Sequence, residues 1–134
     1  MSVLRNDLLP VRTPNDVVVV RQHVRALAIE LGFSLVDQTK MVTAASELAR
    51  NTLAHGGGGT ARIEVVAASA RRGLKMTFED QGKGIADIEL AMRDGYSTGG
   101  GLGLGLSGTR RLMNEFDLQS TPGEGTRVSA IRWR

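Results

Sequence analysis

The hydrophobic spacing of this chain changes character at four consecutive glycines, Gly56 to Gly59, and that switch constrains the fold more than any other feature. Ahead of the glycines, apolar residues recur at helical spacing: Val17, Val20, Val24, Leu27, Ala28 and Leu31, then Met41, Val42, Ala45, Leu48 and Ala49. Beyond them the period falls to two. Ala61, Ile63, Val65 and Ala67 alternate with Arg62 and Glu64, the turn SARRG follows, and Leu74, Met76 and Phe78 alternate with Lys75, Thr77 and Glu79. Two helices followed by an antiparallel hairpin is the reading these periods dictate.

Local signals place the boundaries. Thr13 is an N-cap with Pro14 at the first helical position and Asp16 in the capping-box position; Gly32 ends that helix. Ser34 with Asp37 repeats the signature and opens the second helix, which the glycine run stops at about His55. DLLPVRT reads as a short edge strand, because Pro10 is tolerated only at an edge or an end. After Asp80 the spacing predicts a loop, DQGKG, and a short amphipathic helix through Ile85, Ile88, Leu90 and Met92. DGYSTGGGLGLG then leads into a helix carrying Leu106, Leu112, Met113 and Phe116, and a final hairpin turns at Gly123 to Gly125 into a last strand, Thr126 to Trp133. The expected fold class is α+β: a two-layer α/β sandwich, mostly antiparallel sheet with helices on one face. At 134 residues the chain has the size of one domain, expected to span residues 1–134.

Composition removes several chemistries. Without cysteine there is no disulfide framework, thiolate metal site or cysteine nucleophile, which fits a reducing cytoplasm. No run approaches the roughly 18 apolar residues of a membrane span, so no membrane partner is expected. Seventeen basic against fourteen acidic residues give a net charge of +3, which favours anionic partners. Nucleic acid is not expected among them, since the basic residues are scattered and aromatics are too few for a stacking platform.

Four groups of residues carry possible chemistry. Glu47 and Asn51, four apart on the second helix, project from one face, where Asn51 offers a hard oxygen for magnesium and Glu47 a general base; a Glu and an Asn so spaced are equally an ordinary helix surface. In DQGKGI, after an apolar strand, Gly82 and Gly84 permit a tight turn and close ligand approach, and Asp80 offers an acceptor to an exocyclic amine; the alternative is a hairpin exit with a surface Asp. GGGLGLGL, including Gly101, Leu102, Gly103, Leu104 and Gly105, opens a helix and frees backbone amides for phosphates, or is a linker. No Lys-Ser/Thr follows at P-loop spacing, and no strand precedes it as a dinucleotide loop requires. Thr126 is a strand residue whose hydroxyl reaches a bound base through water, or simply a strand residue. Lys83, Arg110 and Arg111 read as solvated, and His23 and His55 as structural.

In chain order, Glu-x-x-x-Asn on a helix, Asp-x-Gly-x-Gly after a strand, a Gly-rich lid and Gly-Thr entering the last strand resemble the ATP-binding fold shared by gyrase, sensor histidine kinases and MutL. Within it ELGF, TAASELARN, EDQGKGI, DGYSTGGGLGLGLSGTRRLMNEFDLQS and GEGT are similar to the serine/threonine switch kinases of the bacterial stressosome. The resemblance implies ATP and Mg2+ as cofactors, Asn51 on magnesium, and Glu47 polarising the acceptor hydroxyl. It implies Asp80 reading the adenine amine, Gly82 and Gly84 lining the base, Thr126 assisting through water, and Gly101, Gly103 and Gly105 around the phosphates. It further implies a Ser or Thr of a STAS-domain scaffold protein as substrate, and a downstream serine phosphatase as the partner of the released kinase. An anti-sigma factor with the same pocket, or a binding module that keeps nucleotide only as a structural ligand, are the alternatives.

Overall fold

The structure, a computed structural model, describes residues 1–93 and 105–134. In chain order the elements are β1 (Ser2–Val11), α1 (Pro14–Glu30), α2 (Leu35–Gly56), β2 (Gly59–Ala68), β3 (Arg71–Asp80), α3 (Ile88–Ala91), α4 (Gly105–Arg111), β4 (Glu115–Thr121) and β5 (Gly125–Trp133). The five strands form one antiparallel sheet in the order β1-β2-β3-β5-β4, and α1 and α2 pack on one face. The expected sandwich is therefore what forms.

Each helix begins where its side chains satisfy the free amides of the first turn. Thr13 Oγ1 accepts the Asp16 N–H at 3.2 Å while Asp16 Oδ2 accepts the Thr13 N–H at 3.1 Å. Ser34 Oγ does the same for Asp37 N–H at 3.1 Å. α2 ends at Gly57, whose φ of 73° puts it in the left-handed region.

The core lies between the two layers. Val20, Val24, Ala28, Met41, Ala45 and Leu48 from the helices meet Ala61, Ile63, Leu74, Met76, Phe78 and Ala130 from the sheet, all buried. Directly paired strand residues share a face, so Ala61, Phe78 and Val128 lie in one row, and Ile63, Met76 and Ala130 in the next. One row further along, β3 and β5 end on the pair Asp80 and Thr126, and β4 supplies Ser120 opposite Thr126. The alternation that builds the core thus delivers three polar side chains to the end of the same face.

Three boundaries differ from the sequence reading. β1 runs over ten residues, not a short stretch, with Pro10 still on the outer strand. The helix after Asp80 is a single turn, because Gly84 is left-handed at φ 76° and the Ile85 N–H is bonded to Ser120 Oγ at 2.7 Å, so helix begins only at the Asp87 cap. The helix expected to carry Phe116 stops at Arg111; the Asn114 N–H bonds to Ile131 O at 2.9 Å and EFDLQST pairs along β5 as an edge strand. Phe116, Leu118 and Ser120 alternate with exposed Glu115, Asp117 and Gln119, a period of two that leads from the core row into the site.

Candidate functional site

The C-terminal turns of α2 cross the end of the β2–β3 pair, and the missing side chains of two glycines allow it. A Cβ on Gly59 would lie 1.9 Å from Glu79 O, and one on Gly56 would lie 2.3 Å from Asp80 Cγ. With hydrogens at these positions, the helix end rests against the carboxyl of Asp80. Glu47 and Asn51, on the same helix, are thereby brought to the end of the sheet where Asp80 and Thr126 sit.

Glu47 is buried, with 6% of its surface exposed, although it is a charged residue on a helix. Its Oε1 takes an ion pair from Arg50 Nη2, one turn on, and Arg50 is itself largely exposed. Asn51 is half-buried beside them. A buried carboxylate next to an amide oxygen on one helix face is not the solvated surface that this spacing most often forms.

Asp80 accepts the Gly82 N–H through Oδ1 at 2.9 Å, which fixes the carboxylate across the turn and leaves Oδ2 as an acceptor. Gly82 and Gly84 are both close-approach positions: a Cβ on Gly82 would lie 2.7 Å from Gly56 Cα, and one on Gly84 would lie 2.3 Å from Thr121 O. The loop is held down on β4 as well, since the Gly123 N–H donates to Lys83 O at 2.7 Å.

Thr126 belongs to a small hydroxyl network. Ser120 Oγ accepts the Ile85 N–H, donates to Gly125 O at 3.1 Å, and lies 2.8 Å from Thr126 Oγ1. With the single Ser120 proton on Gly125 O, the Thr126 hydroxyl must donate to Ser120, and its lone pairs stay available as acceptors. Asp80 and Thr126 therefore both present acceptors, the complement of an exocyclic amine. Around them Asp80, Ser120, Gly125 and Thr126 line an open cleft of about 190 Å³. The larger hollow among the described residues, about 410 Å³, lies on the helix-free face near Lys75, Asp117 and Arg127 and touches none of the candidate residues.

Among the described residues no group of three or more His, Asp or Glu could hold a metal. Asn51 is a single hard-oxygen ligand, which suits magnesium carried mainly by phosphate oxygens and water. Gly101, Leu102, Gly103 and Leu104 lie outside the described residues; Gly105, at φ 70°, begins α4. Arg110 and Arg111 are exposed on its last turn, and His23 bonds Asp7 at 2.8 Å between α1 and β1. The sequence reading missed Ser120, which lay in the segment taken for helix, and Arg50, which the spacing Glu-x-x-Arg marks as a neighbour on the helix.

Residues 36–133 match the model of the histidine kinase-, DNA gyrase B- and HSP90-like ATPases. The serine/threonine-protein kinase RsbT of Bacillus subtilis is 53% identical over 123 residues, 92% of each chain. An anti-sigma F factor of Thermoanaerobacter is 34% identical over 84% of this chain and 82% of its own. A crystal structure of the RsbU and RsbW domains of a Mycobacterium tuberculosis protein superposes with a TM-score of 0.63 at 19% identity, covering 97% of this chain, which spans only 33% of that one. A helix-borne Glu and Asn set against the Asp and glycines of a β3 exit loop, on a chain matched over both, make this protein a member of the histidine kinase-, DNA gyrase B- and HSP90-like ATPase family.

Proposed function

We propose that this chain, a protein serine/threonine kinase of that family, transfers the γ-phosphoryl group of ATP to a Ser or Thr hydroxyl of a STAS-domain scaffold or antagonist protein. Once its substrate is phosphorylated, the kinase is released and activates a downstream serine phosphatase, all within the cytoplasm. The observation that carries this reading is the 53% identity to RsbT, which runs through the candidate site and almost the full length of both chains. No helix among the described residues is long and apolar enough to cross a membrane.

Each candidate residue has a task in such a transfer. Asp80 Oδ2 accepts from the adenine amine, Gly82 and Gly84 leave room for the base, and Thr126 accepts through a water. Gly101, Gly103 and Gly105, with Leu102 and Leu104 between them, supply the amides around the phosphates, and Asn51 holds magnesium. Bound magnesium supplies charge neutralisation at the phosphates. The acceptor oxygen bonds to phosphorus as the bond to the bridging oxygen of ADP breaks, and its proton passes to Glu47. Burial keeps water off Glu47, and most of the remaining rate comes from positioning.

The anti-sigma F factor relative at 34% identity supports a second reading, a sigma-factor-binding kinase with the same pocket. The test is transfer of label from ATP, with magnesium, to purified STAS-domain proteins, wild type beside Glu47→Gln. Label on a Ser or Thr that is lost with Glu47→Gln, while ATP still binds, is the expected result. Unchanged transfer by Glu47→Gln removes the base assignment, and no label on any STAS-domain protein, together with a co-purifying sigma factor, turns the reading to the second one.

A further inference from the structure

Arg50 has no task in the reading above, yet it is the partner that the structure gives to Glu47. The two lie on one helix face at the i, i+3 spacing, with the Glu47 side chain 8% exposed and that of Arg50 58% exposed. A buried carboxylate needs a compensating partner, and an unpaired one is costly. Arg50 provides it from the solvent side, through Nη2 on Oε1 alone. Among the described residues no hydrogen bond engages Oε2, so the pairing ties down one oxygen and leaves the other to take a proton.

We infer that Arg50 is a positioning residue for phosphoryl transfer: it locks Glu47 in one rotamer from the solvent side, so that Oε2 faces the acceptor hydroxyl. This rests on the reading of Glu47 as the base. A free glutamate has three rotatable bonds, and a group misplaced by about 1 Å can lose up to about a hundredfold in rate. Lysine offers the same charge on a flexible stem without the guanidinium fork, and keeps only part of the constraint. Asn51, next in the chain, points its own oxygen to the same site, so the α2 segment Glu47 to Asn51 would hold base, base-positioner and metal ligand within about one and a half helical turns.

The experiment is a double-mutant cycle on single-turnover transfer at saturating Mg-ATP and acceptor, with Arg50→Met, Arg50→Lys, Glu47→Gln and the Glu47→Gln/Arg50→Met pair. Arg50→Met is expected to lower the transfer rate by about tenfold with the ATP KM unchanged, as loss of an orienting partner does; Arg50→Lys is expected to recover part of it. In the Glu47→Gln background the same substitution is expected to do nothing further, since there is no base to orient. A rate unchanged or raised by Arg50→Met, or an equal loss in both backgrounds, overturns the positioning role. A Glu47→Gln protein as fast as wild type instead overturns the base assignment itself. ATP titration and thermal melting of each variant separate all of these from a folding defect.

Discussion

Replacing Gly82 by Ala tests whether the close contact between α2 and the loop after β3 builds the nucleotide site. Gly82 lies outside the left-handed region, so alanine brings no backbone strain, only a methyl group. That methyl would lie 2.7 Å from Gly56 Cα and 3.0 Å from Gly56 O, both backbone atoms at the end of a 22-residue helix, which cannot rotate away. Overpacking of this kind costs about 1–3 kcal/mol. The soft element is the loop, and lifting it breaks the 2.9 Å bond from Gly82 N–H that fixes Asp80. Losing the hydrogen bond between a charged Asp80 and the adenine amine costs a further ~1.5–3 kcal/mol of binding, about 10–100-fold in Kd. Gly57→Ala is the control: at φ 73° it pays for the left-handed conformation, but nothing lies within 4 Å of the added methyl. It should lose about 1 kcal/mol of stability and keep its ATP affinity. Calorimetric titration with Mg-ATP and thermal melts of both variants decide the matter. Gly82→Ala binding ATP as wild type, or Gly57→Ala losing as much affinity, would refute the packing account of the site.

Two further expectations concern what holds the layers together. Arg132 on β5 bonds Asp37 on the first turn of α2 at 2.8 Å, with only 16% of the arginine side chain exposed and its Nε buried without a hydrogen-bond partner. Asp37→Ala should cost about 1–3 kcal/mol, because it leaves that guanidinium half-buried and unpaired, and Arg132→Met added to it should restore part of the loss in urea unfolding. On the acid side, the backbone N–H of Arg12 first, then that of Thr13, hold the Asp16 carboxyl below its ordinary 3.8, and the hydrogen bond from His23 first, then Arg5, does the same for Asp7. Both folded values lie below the unfolded ones, so this stabilisation is complete above pH 3.8 and is lost as pH falls through the folded values. Urea midpoints should decline below that pH, less steeply for Asp16→Asn; an equal decline would remove the capping carboxylate from the acid response.

How far the sequence reveals the fold follows from where periodicity and capping agree. α1 and α2 carry both an apolar stripe and a side-chain cap, and their boundaries come out within a residue or so of the structure. β2 and β3 alternate cleanly because one face is core. β4 was misread, because Leu112, Met113 and Phe116 continue a plausible helical stripe from Leu106, and only its pairing with β5 imposes the period of two. That error also hid Ser120, whose importance comes from three partners distant in sequence: Ile85, Gly125 and Thr126.

The candidate site was legible to the extent that its residues are set by local spacing. Glu47 and Asn51 share a helix face by arithmetic, and Asp80 ends a strand whose inner row is Leu74, Met76 and Phe78, so its side chain continues toward the helices. What spacing could not supply is the contact between these two units, which depends on Gly56 and Gly59 yielding space to Asp80 and Glu79. Those glycines read locally as a helix stop. In the fold they do a second task, because any side chain at Gly59 would meet the β3 carbonyl and push the α2 end off the sheet. Glu47 and Asn51 would then face solvent several ångströms from Asp80, and the helix would carry the ordinary exposed Glu and Asn that the sequence alone could not distinguish from a site. The same step accounts for the buried state of Glu47: seating α2 against the sheet removes its carboxylate from water, and the exposed Arg50 beside it then becomes its counter-charge.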